Sequence, residues 1–325
     1  VFALALPDFL GFESLMELAE RYPDEVAFAL RLKQLGTHIQ AVIGGRAVHP
    51  INTLVGGFGK LPTHRDVESL RGELVSAMSP LLGAVETVAS IEIPDWAERN
   101  TLFVALRPTR NDFGFRGDVI CTSGGGEYPV EAYRETIREF TVEHSTARHA
   151  ALESGETYLV GSLARLGLWG DRLGGEAARA LGALFPDGVI DNVLFNTRAQ
   201  VVELVYCLDS AIQFCDSYLG LEETTSEMQQ VEERAGRGIG AIEAPRGTLF
   251  HEYELDDGGR VTAANVVTPT AQNLANIERD LRSSGDQLQR AGTSSDLELK
   301  RAFEMVARAY DPCISCSVHL VRIHG

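Results

Sequence analysis

Apolar positions along this chain fall into a few long helical stripes separated by short strand-like runs. Within residues 24–43, Phe28, Leu32, Leu35, Ile39 and Val42 recur at spacings of four and three, which puts them on one face of a helix. Asp24 and Glu25 suit its start, and Gly44-Gly45 its end. Before it, residues 1–13 make an apolar segment closing in a turn, and Ser14 opens a short helix that stops ahead of Pro23. Thr63 and Asp66 begin another helix that runs to about Ser90, with Pro80 an expected kink or break. Val201, Leu204, Leu208, Ile212, Cys215 and Leu219 mark the apolar face of a strong helix within 191–219, with Cys207 and Cys215 inside as small apolar groups. Helices are also expected over 131–155, 175–184 and 296–309, and from near Gln272.

Strand-like runs lie at 101–107 and, as short pieces around Gly124-Gly125-Gly126, at 117–130. Residues 248–256 read as a strand, Asp256-Asp257-Gly258-Gly259 as a hairpin turn, and the chain from there to Val267 as the return strand. The pattern is α+β and predominantly α.

Composition narrows the class. A chain of 325 residues builds a substantial core, as one large domain or two smaller ones. Its apolar fraction, 44%, is ordinary for a globular protein, and no run of eighteen apolar residues suggests a membrane span. No charged-then-apolar leader follows Val1, so a signal peptide is not expected. A net charge of −17 argues against nucleic acid, whose phosphates would be repelled. Five scattered cysteines do not make a secreted disulfide framework, and a reducing, cytoplasmic setting fits them better.

The chemistry concentrates at the C-terminal end, in Asp311-Pro312-Cys313-Ile314-Ser315-Cys316-Ser317-Val318-His319. Cys313 and Cys316 offer two soft sulfur ligands from one stretch of backbone, and His319 can fold back onto the same site. Thiolates select nickel, zinc, copper(I) and iron clusters. Spacing alone leaves half a zinc site, a redox disulfide or chance open. No second pair completes a structural zinc site, since Cys121, Cys207 and Cys215 stand apart. A redox motif of the thioredoxin kind opens a helix after a strand, whereas this one follows a helical stretch. Other motifs are weaker. The glycines of Gly236-Arg237-Gly238-Ile239-Gly240 have the wrong spacing for a dinucleotide fingerprint, and Glu143-His144 lacks the second histidine of a zinc-protease helix and reads as surface. Taken singly, Asp8 and Thr270 read as helix caps, Arg246 as a surface salt-bridge partner, and His38 as surface or packing.

Asp-Pro-Cys-x-x-Cys-x-x-His resembles the closing signature of the large subunit of nickel–iron hydrogenases, and three further stretches match in the same order. Gly44-Gly45-Arg46 through His49-Pro50 to Gly56-Gly57 is similar to that family's Gly-Gly-Lys/Arg-x-x-His-Pro…Gly-Gly loop. Glu243-Ala244-Pro245-Arg246-Gly247 matches its Glu-Ala-Pro-Arg-Gly turn, and Thr268-Pro269-Thr270-Ala271-Gln272-Asn273 its Val-Pro-Ser/Thr-Thr-x-Asn segment. The resemblance implies a fold with a central bundle of long helices and small peripheral sheets, as one domain over 1–325. It implies a nickel–iron centre with carbon monoxide and cyanide on the iron, held here by Cys313 and Cys316. Arg246 would lie over the cyanides with Ala244 and Pro245 beside it, steadied by Asp311 and Asp8; Thr270, next to Pro269, would donate to the other cyanide, and His49 would sit near the sulfurs. Magnesium or iron would bind near His319.

The implied reaction is heterolytic cleavage of dihydrogen, with Cys313 or Arg246 taking the proton. A thiolate is the less demanding base, because arginine as a residue type gives up its proton only at very high pH. Implied partners are a small subunit carrying iron–sulfur clusters, a flavin- or NAD(P)-handling electron-transfer subunit beyond it, and a maturation protease. Leu-Pro-Asp-Phe near the start and Ser-Cys-Ser-Val-His at the end look most like the soluble, cofactor-coupled types of group 3.

Two departures stand out. The family's other cysteine pair belongs upstream of Val1, which makes this chain the expected C-terminal part of a larger subunit. The family also loses a peptide after the closing histidine, whereas Leu320-Val321-Arg322-Ile323-His324-Gly325 is present here. Rival readings are the respiratory-complex relative that keeps the fold and helps form a quinone site, and a structural zinc protein. Retention of Cys313, Cys316 and Arg246 argues against the first.

Overall fold

The computed structural model describes residues 2–12, 14–110, 113–189, 191–222, 228–293 and 295–313. The apolar opening segment is a helix, α1 (Phe2–Leu10). Helix α2 (Leu15–Arg21) is capped by Ser14, whose hydroxyl accepts from the Glu17 amide, and α3 (Pro23–Gly44) ends on Gly45 in the left-handed region. After the small hairpin of β1 (Thr53–Leu54) and β2 (Gly57–Phe58), Thr63 and Asp66 form a reciprocal capping box that starts α4 (His64–Ala89). The helix runs on past Pro80.

Strands β3 (Leu102–Leu106), β4 (Val119–Thr122) and β5 (Glu127–Pro129) then lead through a 3-10 turn into the single-turn helix α5 (Tyr133–Thr136). Next come the hairpin of β6 (Ile137–Val142) and β7 (Ser145–Leu152), the short β8 (Tyr158–Leu159), and helices α6 (Ser162–Trp169), α7 (Gly175–Leu184) and α8 (Asn196–Leu219). The last third holds β9 (Gly236–Ala244), β10 (Gly247–Leu255), β11 (Val261–Val267), α9 (Pro269–Arg290) and α10 (Asp296–Ala309).

Two cores organise these elements. In the helical core, Leu70, Leu74, Leu81 and Val85 of α4 pack with Val201, Val202, Val205 and Leu208 of α8 and with Ala177, Ala180 and Leu184 of α7. In the second, Val104, Leu106, Ile120, Tyr133, Ile137, Tyr158, Phe250 and Val267 lie between the sheets. Strand β3 serves both: Phe103 faces the helices while Val104 and Leu106 face the sheets, as the alternation of side chains along a strand requires. The sheets run in the orders β5-β4-β3-β8 and β11-β10-β9. β3 and β8 pair parallel, and the β9-β10-β11 meander is antiparallel throughout.

Three expectations need correction. Residues 131–155 are not one helix but α5 followed by the β6–β7 hairpin. Burial of Ile137, Ala150 and Leu152 in the second core decides this against local helix propensity. On α8, Leu204 is 40% exposed and the buried face runs instead through Val201, Val202, Val205 and Leu208. Cys215 is buried as expected, whereas Cys207 is exposed.

Glu252 on β10 ties the meander to α5. It is buried and accepts from Tyr133 Oη at 2.6 Å, Arg134 Nε at 2.7 Å and Arg237 Nε at 2.7 Å. These donors, Arg237 foremost, hold its carboxyl at about 2, below the ordinary 4.5. Folding thus favours the ionised form. The resulting stabilisation is complete above pH 4.5 and is lost as pH falls through about 2. Glu252→Gln is expected to lower the urea midpoint at neutral pH and to flatten the decline of that midpoint over the same acid window. Equal acid sensitivity of the two proteins would show that Glu252 carries no such linkage.

Candidate functional site

Strands β9 and β10 pair Ala244 with Gly247, so Pro245 and Arg246 are the two-residue turn between them. Gly247 sits at φ +132, and a Cβ there would come within 2.4 Å of Val160 Cγ2. The turn packs this closely onto the Val160-Gly161 backbone only because position 247 lacks a side chain.

A buried arginine holds the turn from beneath. Arg165 of α6 is 1% exposed. Its Nη1 donates to Glu243 Oε2 at 2.8 Å and to the Ala244 carbonyl at 3.0 Å; Nη2 donates to Glu203 Oε2 at 2.8 Å and to the Pro245 carbonyl at 3.0 Å; Nε donates to Glu203 Oε1 at 2.6 Å. Burial works against the charge, but Glu203 and Glu243 outweigh it and keep the guanidinium protonated. Glu243 also accepts from the Leu106 amide and the Thr248 hydroxyl, which connects β9 to β3 and β10.

Arg246 is thereby presented at the surface of the turn. Its Nε donates to the Asp311 carbonyl at 2.6 Å and its Nη2 to Asp311 Oδ1 at 2.9 Å. Nη1 makes no hydrogen bond among the described residues, and the side chain is 36% exposed. Asp311 follows the end of α10 with φ 50, a left-handed conformation that turns the chain toward α9. Burial pushes its carboxyl up, and Arg246 pulls the other way. Two residues on, the Cys313 amide donates to Thr270 Oγ1 at 3.2 Å. Thr270 lies in the first turn of α9, after Pro269; Thr268, not Thr270, is the cap, its hydroxyl accepting from the Ala271 amide. Arg246, Asp311, Cys313 and Thr270 are therefore one connected group.

Asp8 does not join it. Both its oxygens accept from Arg308 Nη1, at 2.6 and 2.7 Å, and burial, against the pull of Arg308, pushes its carboxyl up. The expected pairing of Asp8 with Arg246 gives way because α1 packs on α10, whose last turn carries Arg308. His49 is also apart: it is exposed at φ 51, and its carbonyl accepts from Arg46 Nε. Cys316 and His319 lie outside the described residues.

Sequence reasoning missed Arg165, Glu203 and Arg308. Signals existed: Arg165 is a lone charge within Leu163-Ala164-Arg165-Leu166, Glu203 sits between Val202 and Leu204, and Arg308 is a base in the last turn before Asp311. A charge in an apolar helical run is either exposed or partnered.

A family model described as nickel-dependent hydrogenase matches residues 189–319. The chain is 37% identical over 324 residues to the alpha subunit of sulfhydrogenase 1 of Pyrococcus furiosus, an alignment that takes in 99% of this chain and 74% of that one. This chain belongs to the nickel-dependent hydrogenase family. As a hydrogenase it is an oxidoreductase acting on hydrogen. It is also 26% identical over 345 residues to an F420-non-reducing hydrogenase of Methanothermobacter marburgensis, covering 98% of this chain and 71% of the relative. The fold matches an NAD+-reducing nickel–iron hydrogenase in its H2-reduced state with TM-score 0.84 at 23% identity, over 98% of this chain and 76% of that one. It also matches a nickel–iron–selenium hydrogenase of Desulfovibrio vulgaris Hildenborough, TM-score 0.67 at 20% identity, over 91% and 69%. Among the described residues of this hydrogenase, no helix is long and apolar enough to cross a membrane.

The Arg165 network yields a prediction. Arg165→Met leaves Glu203 and Glu243 buried without their cation, a loss of about 3–5 kcal/mol for a broken buried pair. The triple variant Arg165→Met, Glu203→Gln, Glu243→Gln is expected to recover much of that loss. Thermal midpoints of the single and triple variants check it, and an additive triple variant would contradict it.

Proposed function

We propose that this chain is the catalytic subunit of a nickel–iron hydrogenase that cleaves dihydrogen heterolytically, with Cys313, Cys316, Arg246, Asp311 and Thr270 as its site residues. The observation that carries this reading is the fixing of Arg246 by Asp311 at the segment that delivers Cys313, with Thr270 on the Cys313 amide. The donor set suits the metal centre. Cys313 and Cys316 supply soft sulfur, and the partly exposed guanidinium with one nitrogen unengaged among the described residues is a fixed donor for an anion such as a metal-bound cyanide. When bound, the nickel–iron centre supplies the electron-accepting site for cleavage.

The chain's own residues divide the remaining work. Asp311 fixes the guanidinium plane through two hydrogen bonds, so Arg246 need not reorganise as charge develops beside it. Thr270 accepts from the Cys313 amide and keeps its own proton for donation to a ligand. Cys313 Sγ takes the released proton, and Arg246 acts by orientation and charge. Asp8 pairs with Arg308 in the last turn of α10, the helix that leads to Asp311, and does not contact Arg246.

Electrons leave to an iron–sulfur small subunit. The sulfhydrogenase relative is named as an alpha subunit, and the fold neighbour is NAD+-reducing; both support a multi-subunit enzyme with a flavin- or NAD(P)-handling subunit further along. His319 is proposed as a ligand of magnesium or iron, His49 as a neighbour of the sulfurs, and a cytoplasmic setting fits the whole.

Anaerobically purified protein with its partners attached is expected to hold about one nickel per chain, as one four-thiolate site requires. Cys313→Ser should lose the nickel. Arg246→Lys should keep it while turnover falls ~100-fold or more, the scale of losing one preorganised donor. Metal-replete Arg246→Lys protein turning over at the parental rate would remove Arg246 from the mechanism.

A further inference from the structure

A second cluster of ligating side chains lies away from Arg246, where the β6–β7 hairpin packs on α9. His144 occupies the hairpin turn, His149 lies on β7, and Glu278 projects from the middle of α9. His144 Nε2 is 2.6 Å and His149 Nε2 3.0 Å from the same oxygen, Glu278 Oε1. One ligand atom from each residue falls within 4.8 Å of the other two.

His149 makes the cluster more than a chance meeting of surface groups. It is 2% exposed, and its Nδ1 lies 3.3 Å from the Ala147 carbonyl. A carbonyl only accepts, so the tautomer that satisfies this contact carries its hydrogen on Nδ1. In the neutral ring this leaves a lone pair on Nε2, aimed at a carboxylate oxygen. Two lone pairs at 3.0 Å repel unless a cation lies between them. That cation is a proton or a metal ion. An imidazole whose far nitrogen is fixed by a backbone carbonyl is the usual arrangement of a metal-binding histidine.

We propose that His144, His149 and Glu278 bind a first-row divalent ion, with zinc the preferred one. Two imidazoles and a carboxylate are a borderline set that suits zinc and not the all-oxygen ions magnesium and calcium. Bonds of about 2.0–2.1 Å in a tetrahedron separate ligand atoms by roughly 3.3 Å. The observed 2.6 and 3.0 Å open by less than an ångström to reach that, while the two histidine nitrogens, within 4.8 Å of each other, adjust about the ion. His144, with its side chain 62% exposed, is the arm that can move, and a water completes the fourth position on its side. The ion fastens the hairpin to α9, the helix whose first turn carries Thr270. The three residues include no sulfur ligand and none of the proposed nickel ligands.

The test uses the full protein with its partners, after dialysis against a chelator, and reads zinc directly. Wild type is expected to regain, at micromolar zinc, one zinc more per chain than His149→Ala, with nickel content equal in both. Cobalt(II) should give visible tetrahedral bands in wild type that His149→Ala lacks. His144→Ala, on the exposed turn, leaves the buried packing intact. It should weaken zinc by more than the ~10–100-fold that loss of an outer partner costs. Zinc should raise the thermal midpoint of wild type and leave that of Glu278→Gln unmoved. Equal zinc uptake by wild type and all three variants, or no uptake by wild type, would overturn the assignment and leave a proton as the shared cation. None of these readouts depends on hydrogen turnover.

Discussion

The architecture around the site depends on burying one guanidinium. Arg165 has water on no side, and each of its three nitrogens finds an acceptor: two carboxylates and the carbonyls of Ala244 and Pro245. Those acceptors come from α8, β9 and the β9–β10 turn. A buried ion network of this kind adds little net stability, because desolvation offsets most of the attraction. What it contributes is direction. Apolar contacts would let the turn slide over α6 at small cost, whereas a fork of fixed donors accepts one arrangement of the Ala244 and Pro245 carbonyls. Arg246, the next residue, inherits that position.

Helix α9 applies the same logic on a larger scale. Its buried face is polar: Gln272, Asn273, Asn276 and Asp280 all lie inside. The Asn273 amide bridges the Val160 amide and carbonyl; Gln272 donates to the Thr248 carbonyl; Asn276 donates to Tyr310 Oη, which in turn donates to Asp280. One helix face thus references β8, β10 and the end of α10 to one another. These are the elements that carry the Gly161 contact, the Arg246 turn and the Asp311 segment. Polar burial is costly when partly satisfied, so each of these groups constrains its neighbour, and Thr270 and Cys313 meet where the constraints converge.

That construction explains what could be read from the sequence. Helices α3 and α4 were legible because apolar stripes and local caps agree: Gly45 and Thr63-Asp66 act within a few residues of themselves. The closing motif with Arg246, Asp311 and Thr270 was legible through resemblance, since spacing alone left Cys313 among several chemistries. The β6–β7 hairpin was not, because its arms contain residues that favour helices and only burial of Ile137, Ala150 and Leu152 in the sheet core selects strands. Arg165 was missed because periodicity tracks apolar faces, while the decisive partners lie 38 and 78 positions away at Glu203 and Glu243. Cys207 was misplaced for a related reason: a small apolar side chain carries too little hydrophobic signal to say which side of α8 it takes.

The separation of Asp8 from Arg246 follows from chain geometry and charge together. Asp311 is bound to its arginine by construction, since the left-handed turn after α10 and the Arg165-held hairpin meet at that point. Asp8 arrives from the opposite end of the sequence on a helix that touches α10, where Arg308 accommodates both its oxygens through one nitrogen. Two acids and two arginines are thereby balanced pairwise, with Glu304 also on Arg308. The balance is uneven in one respect. Arg308 is shared between two carboxylates, while Arg246 has one carboxylate and an unengaged Nη1 among the described residues. Both guanidiniums keep an unengaged nitrogen among the described residues, Nη1 of Arg246 and Nε of Arg308, but Arg246 is the one tied to Asp311, two residues before Cys313.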